Sequence, residues 1–208
     1  MGQALQAFGI LVVAFVAGSV PFSQIAAHRT RGVDLRRVGT GTVSGTSLYR
    51  VAGFGPLAAA GVLEVAKGAA GPGLATAAGR PTLAAVAAGV AVAGHNWSPF
   101  LRGAGGRGLS PAIGALLVVA WPGAVLLLAG MILGSVSGET AVGALIAELA
   151  LTPVLAVTHG ANGALAGAAI TIPMLVKRVV GNAKPAAPGL HPYVMRLLLD
   201  RDTRAKVA

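Results

Sequence analysis

Cysteine is absent from the 208 residues. That removes disulfides, thiol nucleophiles and cysteine metal ligation together. Charge is scarce as well. Asp, Glu, Lys and Arg make up 11% of the chain, where a soluble domain carries about a quarter. Aromatic residues amount to 4%. With so few polar side chains to coat a globule, an ordinary soluble fold is excluded. Disorder is excluded too, because it requires low hydrophobicity. What is present is apolar and small: 55% hydrophobic residues and 31 glycines, with a mean hydropathy of +0.77. A bilayer is the solvent that fits.

Acidic residues are few: 6 against 16 Lys and Arg, a net charge of +10. In a soluble protein this excess suggests nucleic acid, but the distribution argues against that partner. The cations gather in three blocks between apolar stretches. Arg29, Arg31, Arg36, Arg37 and Arg50 form the first, and Arg102 and Arg107 the second. Lys177, Arg178, Lys184, Arg196, Arg201, Arg204 and Lys206 form the third. This is the positive-inside pattern of a multi-pass membrane protein.

Residues 4–27 carry no charge and match the ~20 residues that a span needs. They lack the basic leader of a signal peptide, so a retained helix is expected. Further crossings are expected near 51–76, 82–101, 109–120, 122–134, 142–157 and 163–176. Five spans is the alternative count. Gly71-Pro72-Gly73 and Gly79-Arg80-Pro81 act as breakers in the second turn. Trp121-Pro122, Ser135 to Thr140, and His159 to Gly163 mark later turns. The fold class is therefore an all-α membrane protein. It is expected as one polytopic bundle of about seven transmembrane helices over residues 1–208, N-terminus outside and C-terminus cytoplasmic. Residues 183–208 form a cytoplasmic tail. Its Pro/Ala-rich start leads to an amphipathic stretch, Val194 to Leu199, suited to the membrane surface. The pair Gly163-x-x-x-Gly167 suits close helix packing. Nothing in the sequence sets an oligomeric state.

Three polar segments interrupt the apolar background. Gly39 to Arg50 offers five Ser and Thr hydroxyls, three glycines and a closing arginine. Glycines turn backbone N–H groups inward as an anion nest, and Arg binds phosphate bidentately. The plain alternative is a solvated loop. Gly103-Ala-Gly-Gly-Arg107-Gly108 formally matches G-x-G-x-x-G, but a membrane span precedes it and no acid lies about 20 residues on, so a dinucleotide site is discarded. A glycine turn aiming Arg107 at an anion remains. Glu64 and Lys67 lie three apart inside a span, on one helix face, and read as a self-neutralising ion pair. Glu148 also sits in a span and needs a partner elsewhere or a proton. His28, His95, His159 and His191 lack metal spacing, so no metal site and no cofactor are expected. No G-x-S-x-G is present, and no histidine has an Asp five residues on.

Read together, the segments resemble the bacterial integral-membrane acyl-phosphate:glycerol-3-phosphate acyltransferases. Gly18-Ser-Val-Pro-Phe22 resembles G-S-I-P-F, and Gly39 to Arg50 resembles G-S-G-N-x-G-x-T-N-x-x-R. Leu63-Glu-Val-Ala-Lys-Gly68 is similar to L-D-x-x-K-G. Gly94-His-Asn-Trp97 and Gly105-Gly-Arg-Gly108 are similar to G-H-N-[FY] and G-G-K-G, and Val136-Ser137 to a later V-S. His191 and Arg196 resemble parts of H-R-x-N-[IL]-x-R-L-L. Thr40 replaces a family serine and keeps its hydroxyl, and Thr42, Ser44, Ser47, Arg107, Pro192 and Val194 also depart from the family residues.

The resemblance implies a phospholipid-synthesis enzyme of the bacterial cytoplasmic membrane with its active site facing the cytoplasm. Its substrates would be acyl phosphate and glycerol 3-phosphate, with membrane lipids as surroundings and no nucleic acid. An acyl phosphate is already activated, so no covalent intermediate is needed. The implied roles are phosphate binding by Thr40, Gly41, Thr46 and Arg50, and binding of the second phosphate or the developing charge by Arg107. Ser137 would donate a hydrogen bond from the facing turn, and His191 would orient the hydroxyl or assist proton transfer. His95 and Asn96 read as scaffold. The alternatives are a non-catalytic relative that binds a phosphorylated lipid precursor or regulates a partner, and a small anion transporter.

Overall fold

The computed structural model describes residues 1–185 and 188–201, and every regular element among them is helical. Arg204 and Lys206, and residues 186–187 of the linker, lie outside the described residues. The helices are α1 (Gly2–Ser19), α2 (Phe22–Arg31), α3 (Gly45–Ala52), α4 (Phe54–Ala77), α5 (Pro81–Asn96), α6 (Leu109–Val119), α7 (Trp121–Val136), α8 (Thr140–Val180) and α9 (His191–Leu199).

The punctuation is local. Val20 is extended and Pro21 stands before α2, which divides the run expected at 4–27 into two helices. Pro21 cannot continue the preceding helix and restricts the residue ahead of it. α2 ends on Gly32 at φ 66, with His28, Arg29 and Arg31 in its last turn against the negative helix end. Asp34 then caps the short turn Leu35–Arg37 and pairs with Arg36 at 2.8 Å. The Arg36 side chain holds the Asp34 carboxyl below its usual range. The hydroxyl-rich segment expected as a loop is half helix: Ser44 accepts from the Ser47 N–H at 3.2 Å and starts α3.

Gly71-Pro72-Gly73 was expected to break the chain, but α4 runs through it to Ala77. Gly71 is pressed against Ala14 of α1, where a Cβ would collide. Packing thus holds the helix that local propensity opposes. The turn falls at Gly79, φ 68, ahead of Pro81 at the start of α5. α8 folds back on itself at Gly160 (φ 60, ψ −147). Its halves, 140–159 and 161–180, run antiparallel. Gly163 abuts the Leu155 carbonyl, Gly167 abuts Thr152, and Thr171 Oγ1 donates to the Glu148 carbonyl at 3.1 Å. The Gly163/Gly167 pair is therefore the seam of this hairpin.

Similar seams hold the whole bundle. Gly18 meets Ala91, Gly68 meets Pro111, Gly89 meets Ala169, Gly114 meets Val65, and Gly143 meets Gly130. The core between them is mostly Ala, Leu and Ile. The outside is apolar as well, with Phe8, Val12 and Phe15 on α1 and Val125, Leu128 and Ile132 on α7 exposed. α1 with α2, and α8, are long and apolar enough to cross a membrane. The bundle has two distinct ends. Arg80 donates to the Gln3 carbonyl, and Thr82 to Asn162, at one of them. The loops 32–44 and 97–108, residues 181–185, the turn 137–139 and α9 meet at the other, through contacts between Arg36 and Leu101, Asn182 and Gly41, and Arg201 and Glu139.

Enlarging a seam glycine overpacks the bundle. Gly114→Val is expected to cost roughly 1–3 kcal/mol, read as a lower Tm in detergent. Gly61→Val, with open space around it, is expected to change stability by less than about 0.5 kcal/mol. Equal Tm values for the two variants would remove the seam account.

Candidate active site

Two adjoining cavities open at the basic end. The larger, about 520 Å³, is lined by Thr40, Thr42, Ser44, Thr46, Ser47, Arg50, Leu109, Glu139, Thr140, Ala141, Ala144, Arg178, Leu199, Asp200 and Arg201. The smaller, about 350 Å³, takes Ser23, Ser44, Gly45, Thr46, Tyr49, Leu57, Glu64, His95, Arg107, Gly108, Leu109, Ser110, Ile113 and Met131. Ser44, Thr46 and Leu109 belong to both walls. Of the residues expected at the site, Thr40, Thr46 and Arg50 line the larger cavity and Arg107 the smaller. Gly41, Ser137 and His191 line neither. Ser137 is exposed and bonded to the Gly134 carbonyl, two residues from Glu139. His191 is exposed at the start of α9, whose other end supplies Asp200.

Two helix N-termini face the smaller cavity. α3 begins at Gly45 and Thr46, and α6 at Leu109 behind Gly108, φ 86, without a side-chain cap. Unpaired first-turn N–H groups and the helix dipole favour an anion there. Arg107 lines the same space, with its guanidinium directed at Asp200 in the wall of the larger cavity. It is 8% exposed. Its Nε and Nη2 lie 2.7 and 2.6 Å from Asp200 Oδ1, and its Nη1 donates to the Lys177 carbonyl at 2.6 Å. Arg50 is exposed and has no ion-pair partner among the described residues.

The sequence of the Arg107 turn follows from what it leans on. A Cβ on Gly105 would strike the His95 and Asn96 carbonyls, and one on Gly106 would strike the His95 ring. His95 is itself held by Glu64: its Nδ1 lies 3.1 Å from Glu64 Oε2. Lys67 Nζ lies 2.6 Å from the same oxygen and donates to the Val20 carbonyl. The Ser23 N–H and hydroxyl donate to Glu64 Oε1 at 3.0 and 3.1 Å. The expected Glu64–Lys67 pair is thus part of a four-residue buried cluster under the turn. Asn96 donates to the Pro173 carbonyl at 2.8 Å, as scaffold. Glu148 finds its partner in Arg178, 3.1 Å away on the other half of α8. Among the described residues no group of three His, Asp or Glu side chains converges as for a metal.

Asn182 is a positioning residue that no motif marked. Its Oδ1 accepts from the Gly105 N–H at 3.1 Å, and its Nδ2 donates to the Gly41 and Gly105 carbonyls at 2.8 Å each. One amide thereby joins the hydroxyl loop, the Arg107 turn and the end of α8. The Val43 N–H adds a direct bond to the Gly105 carbonyl at 3.1 Å. Its only sequence signal was a lone amide just beyond the last apolar run. Asn182→Ala is expected to lower turnover by about tenfold to a hundredfold through misplacement of Arg107, with unchanged helicity by circular dichroism. Wild-type turnover in this variant would show that the amide does not set the site.

Comparison with known proteins gives one answer. The glycerol-3-phosphate acyltransferase family model matches residues 8–184, which stops short of His191. A glycerol-3-phosphate acyltransferase of a Synechococcus species is 32% identical over 188 residues, 89% of this chain and 94% of the relative. Glycerol-3-phosphate acyltransferase 2 of Moorella thermoacetica is 42% identical over 111 residues, 53% of this chain and 57% of its own length. The fold is similar to the glycerol 3-phosphate form of PlsY (YgiH), an integral membrane glycerol 3-phosphate acyltransferase. That likeness has a TM-score of 0.78 at 22% identity and covers 96% of this chain and 95% of the other. The match to residues 8–184 takes in the first two basic blocks, the Glu64 cluster, the glycine turn and Asn182, and the chain belongs to the glycerol-3-phosphate acyltransferase family.

Proposed function

We propose that this chain transfers a fatty acyl group from acyl phosphate to the 1-hydroxyl of glycerol 3-phosphate, giving lysophosphatidic acid and inorganic phosphate. The observation that carries this reading is the pair of adjoining cavities sharing Ser44, Thr46 and Leu109, with Arg50 on one and Arg107 on the other. Two phosphates bound side by side require two such cationic places. The relatives' acyltransferase names and the family match support the acceptor. The donor is argued from chemistry. An acyl phosphate is a mixed anhydride, and a site without a thiol or a serine elbow needs only to hold it and stabilise developing charge.

In the proposed reaction the acceptor hydroxyl oxygen attacks the acyl carbonyl carbon. The carbon–oxygen bond to phosphate breaks, and the hydroxyl proton passes to a phosphate oxygen. Thr40, Thr46 and Arg50 bind one phosphate, and Gly41, at φ 72 with its carbonyl on Asn182, shapes that loop. Arg107 and the N-terminus of α6 take the other phosphate or the charge on the acyl oxygen. Ser137 and His191 stand outside both cavities, so the reading rests on the other residues. Leu57, Ile113 and Met131 give the acyl chain an apolar wall.

We place seven crossings in the bilayer: α1 with α2, α4, α5, α6, α7 and the two halves of α8. The end carrying Arg36, Arg107 and Arg178 faces the cytoplasm by the positive-inside rule, and the N-terminus lies outside. A bacterial plasma membrane fits the reaction. The non-catalytic reading is not favoured, because both arginines stand at the cavities.

Purified protein given palmitoyl phosphate and labelled glycerol 3-phosphate is expected to form lysophosphatidic acid, and palmitoyl-CoA to give none. Arg107→Ala should reduce turnover by at least about a hundredfold, the scale of losing one charge-stabilising donor, while the protein still inserts. Full turnover in that variant would remove the phosphate clamp.

A further inference from the structure

The Arg107 guanidinium is already engaged by an anion that belongs to the chain. Asp200 Oδ1 sits 2.7 Å from Nε and 2.6 Å from Nη2, the spacing of a charge-assisted carboxylate contact. The contact joins residues 93 positions apart, so α9 is placed to make it. Arg196 anchors α9 by donating to the Val180 and Ala183 carbonyls at 2.7 and 2.8 Å. The helix ends at Asp200 in the left-handed region, φ 48, which turns the carboxylate toward Arg107. Arg201, the next residue, pairs with Glu139 at 2.8 Å across the wall of the larger cavity. The two latches differ in exposure. Arg201 and Glu139 are 58% and 43% exposed, whereas Arg107 and Asp200 are 8% and 28% exposed. The inner contact is therefore the stronger, since exposed pairs contribute little.

We propose that Asp200 is an internal competitor for the phosphate position on Arg107 and thereby sets the enzyme's affinity for its phosphate substrate. The inference rests on the phosphate-binding role proposed for Arg107. Substrate phosphate and the Asp200 carboxylate present the same chemistry to the same guanidinium, so only one occupies it at a time. A phosphate arriving from the cytoplasm displaces the carboxylate, and the end of α9 swings out of the wall of the larger cavity. Apparent affinity is reduced by the fraction of time the carboxylate is in place. The tether keeps the carboxylate at high local concentration whatever the substrate level.

The test uses the full chain in detergent or nanodiscs, with inorganic phosphate as the binding probe and palmitoyl phosphate plus glycerol 3-phosphate as substrates. Asp200→Asn keeps the shape and removes the charge. It is expected to tighten phosphate binding, and to lower KM for whichever substrate phosphate Arg107 holds, by about fivefold to tenfold. Arg201→Ala loosens the outer latch alone and should shift both quantities the same way by about twofold; it decides the matter if Asp200→Asn fails to fold. Unchanged or weaker phosphate binding in the variants overturns the proposal. So does a raised KM, which would mark Asp200 as a positioning partner of Arg107. Absence of acyl transfer by the wild-type chain defeats the acyltransferase reading separately, and the phosphate titration still decides the competition.

Discussion

Backbone meeting backbone is the constraint on which this structure depends. In lipid, apolar side chains gain nothing by leaving their surroundings, so helices attract through close contact and polar bonds. Gly18 against Ala91, Gly68 against Pro111 and Gly114 against Val65 are contacts that a single methyl would disrupt. They draw α1, α4, α5 and α6 together tightly enough to bury Glu64, Lys67 and His95. They also fix the level at which each helix ends. The turn holding Arg107 and the loop holding Thr40 therefore arrive at one height, within reach of the Asn182 amide.

Burial then decides how the charges behave. Glu64 shares Lys67, His95 and Ser23, and Glu148 shares Arg178 across the α8 hairpin. Each is a charge inside an apolar bundle neutralised by a partner on the same or a neighbouring element. Losing one partner of such a pair costs roughly 3–5 kcal/mol because the other charge stays buried. These pairs hold the scaffold, which leaves the basic end as the place where positive charge remains exposed. The division follows from depth.

The helix positions were legible because apolar runs separated by Gly, Pro and basic residues leave little freedom in how the chain folds. Their breaks were less legible. Gly71-Pro72-Gly73 reads as a turn from propensity alone, and only the nearness of Ala14 explains why α4 continues. Thr40, Thr46, Arg50 and Arg107 were legible as a polar group at the basic end because hydroxyls, glycines and arginines cluster in short segments, and they line the two cavities. Arg178 as the partner of Glu148 was not, since their meeting depends on a register set by one glycine at position 160. Asn182 and Asp200 carry no pattern at all. Each is a lone polar residue whose meaning comes from what folds against it.

Four arginines line the two cavities, and three of them already have a carboxylate. Arg107 has Asp200, Arg178 has Glu148, and Arg201 has Glu139, which leaves Arg50 unpaired among the described residues. Such a site is nearly neutral at rest, yet the proposed reaction brings two phosphates into it. Like charges forced together in a half-buried space repel strongly unless cations are freed to meet them. Glu148 cannot move away, because it is sealed between the halves of α8. Glu139 sits in a fixed turn beside Gly138 at φ 79. Asp200 lies at the end of the short helix α9, and its swing frees the arginine that stands at the smaller cavity. The substrate's charge thus supplies the work of opening the site it occupies.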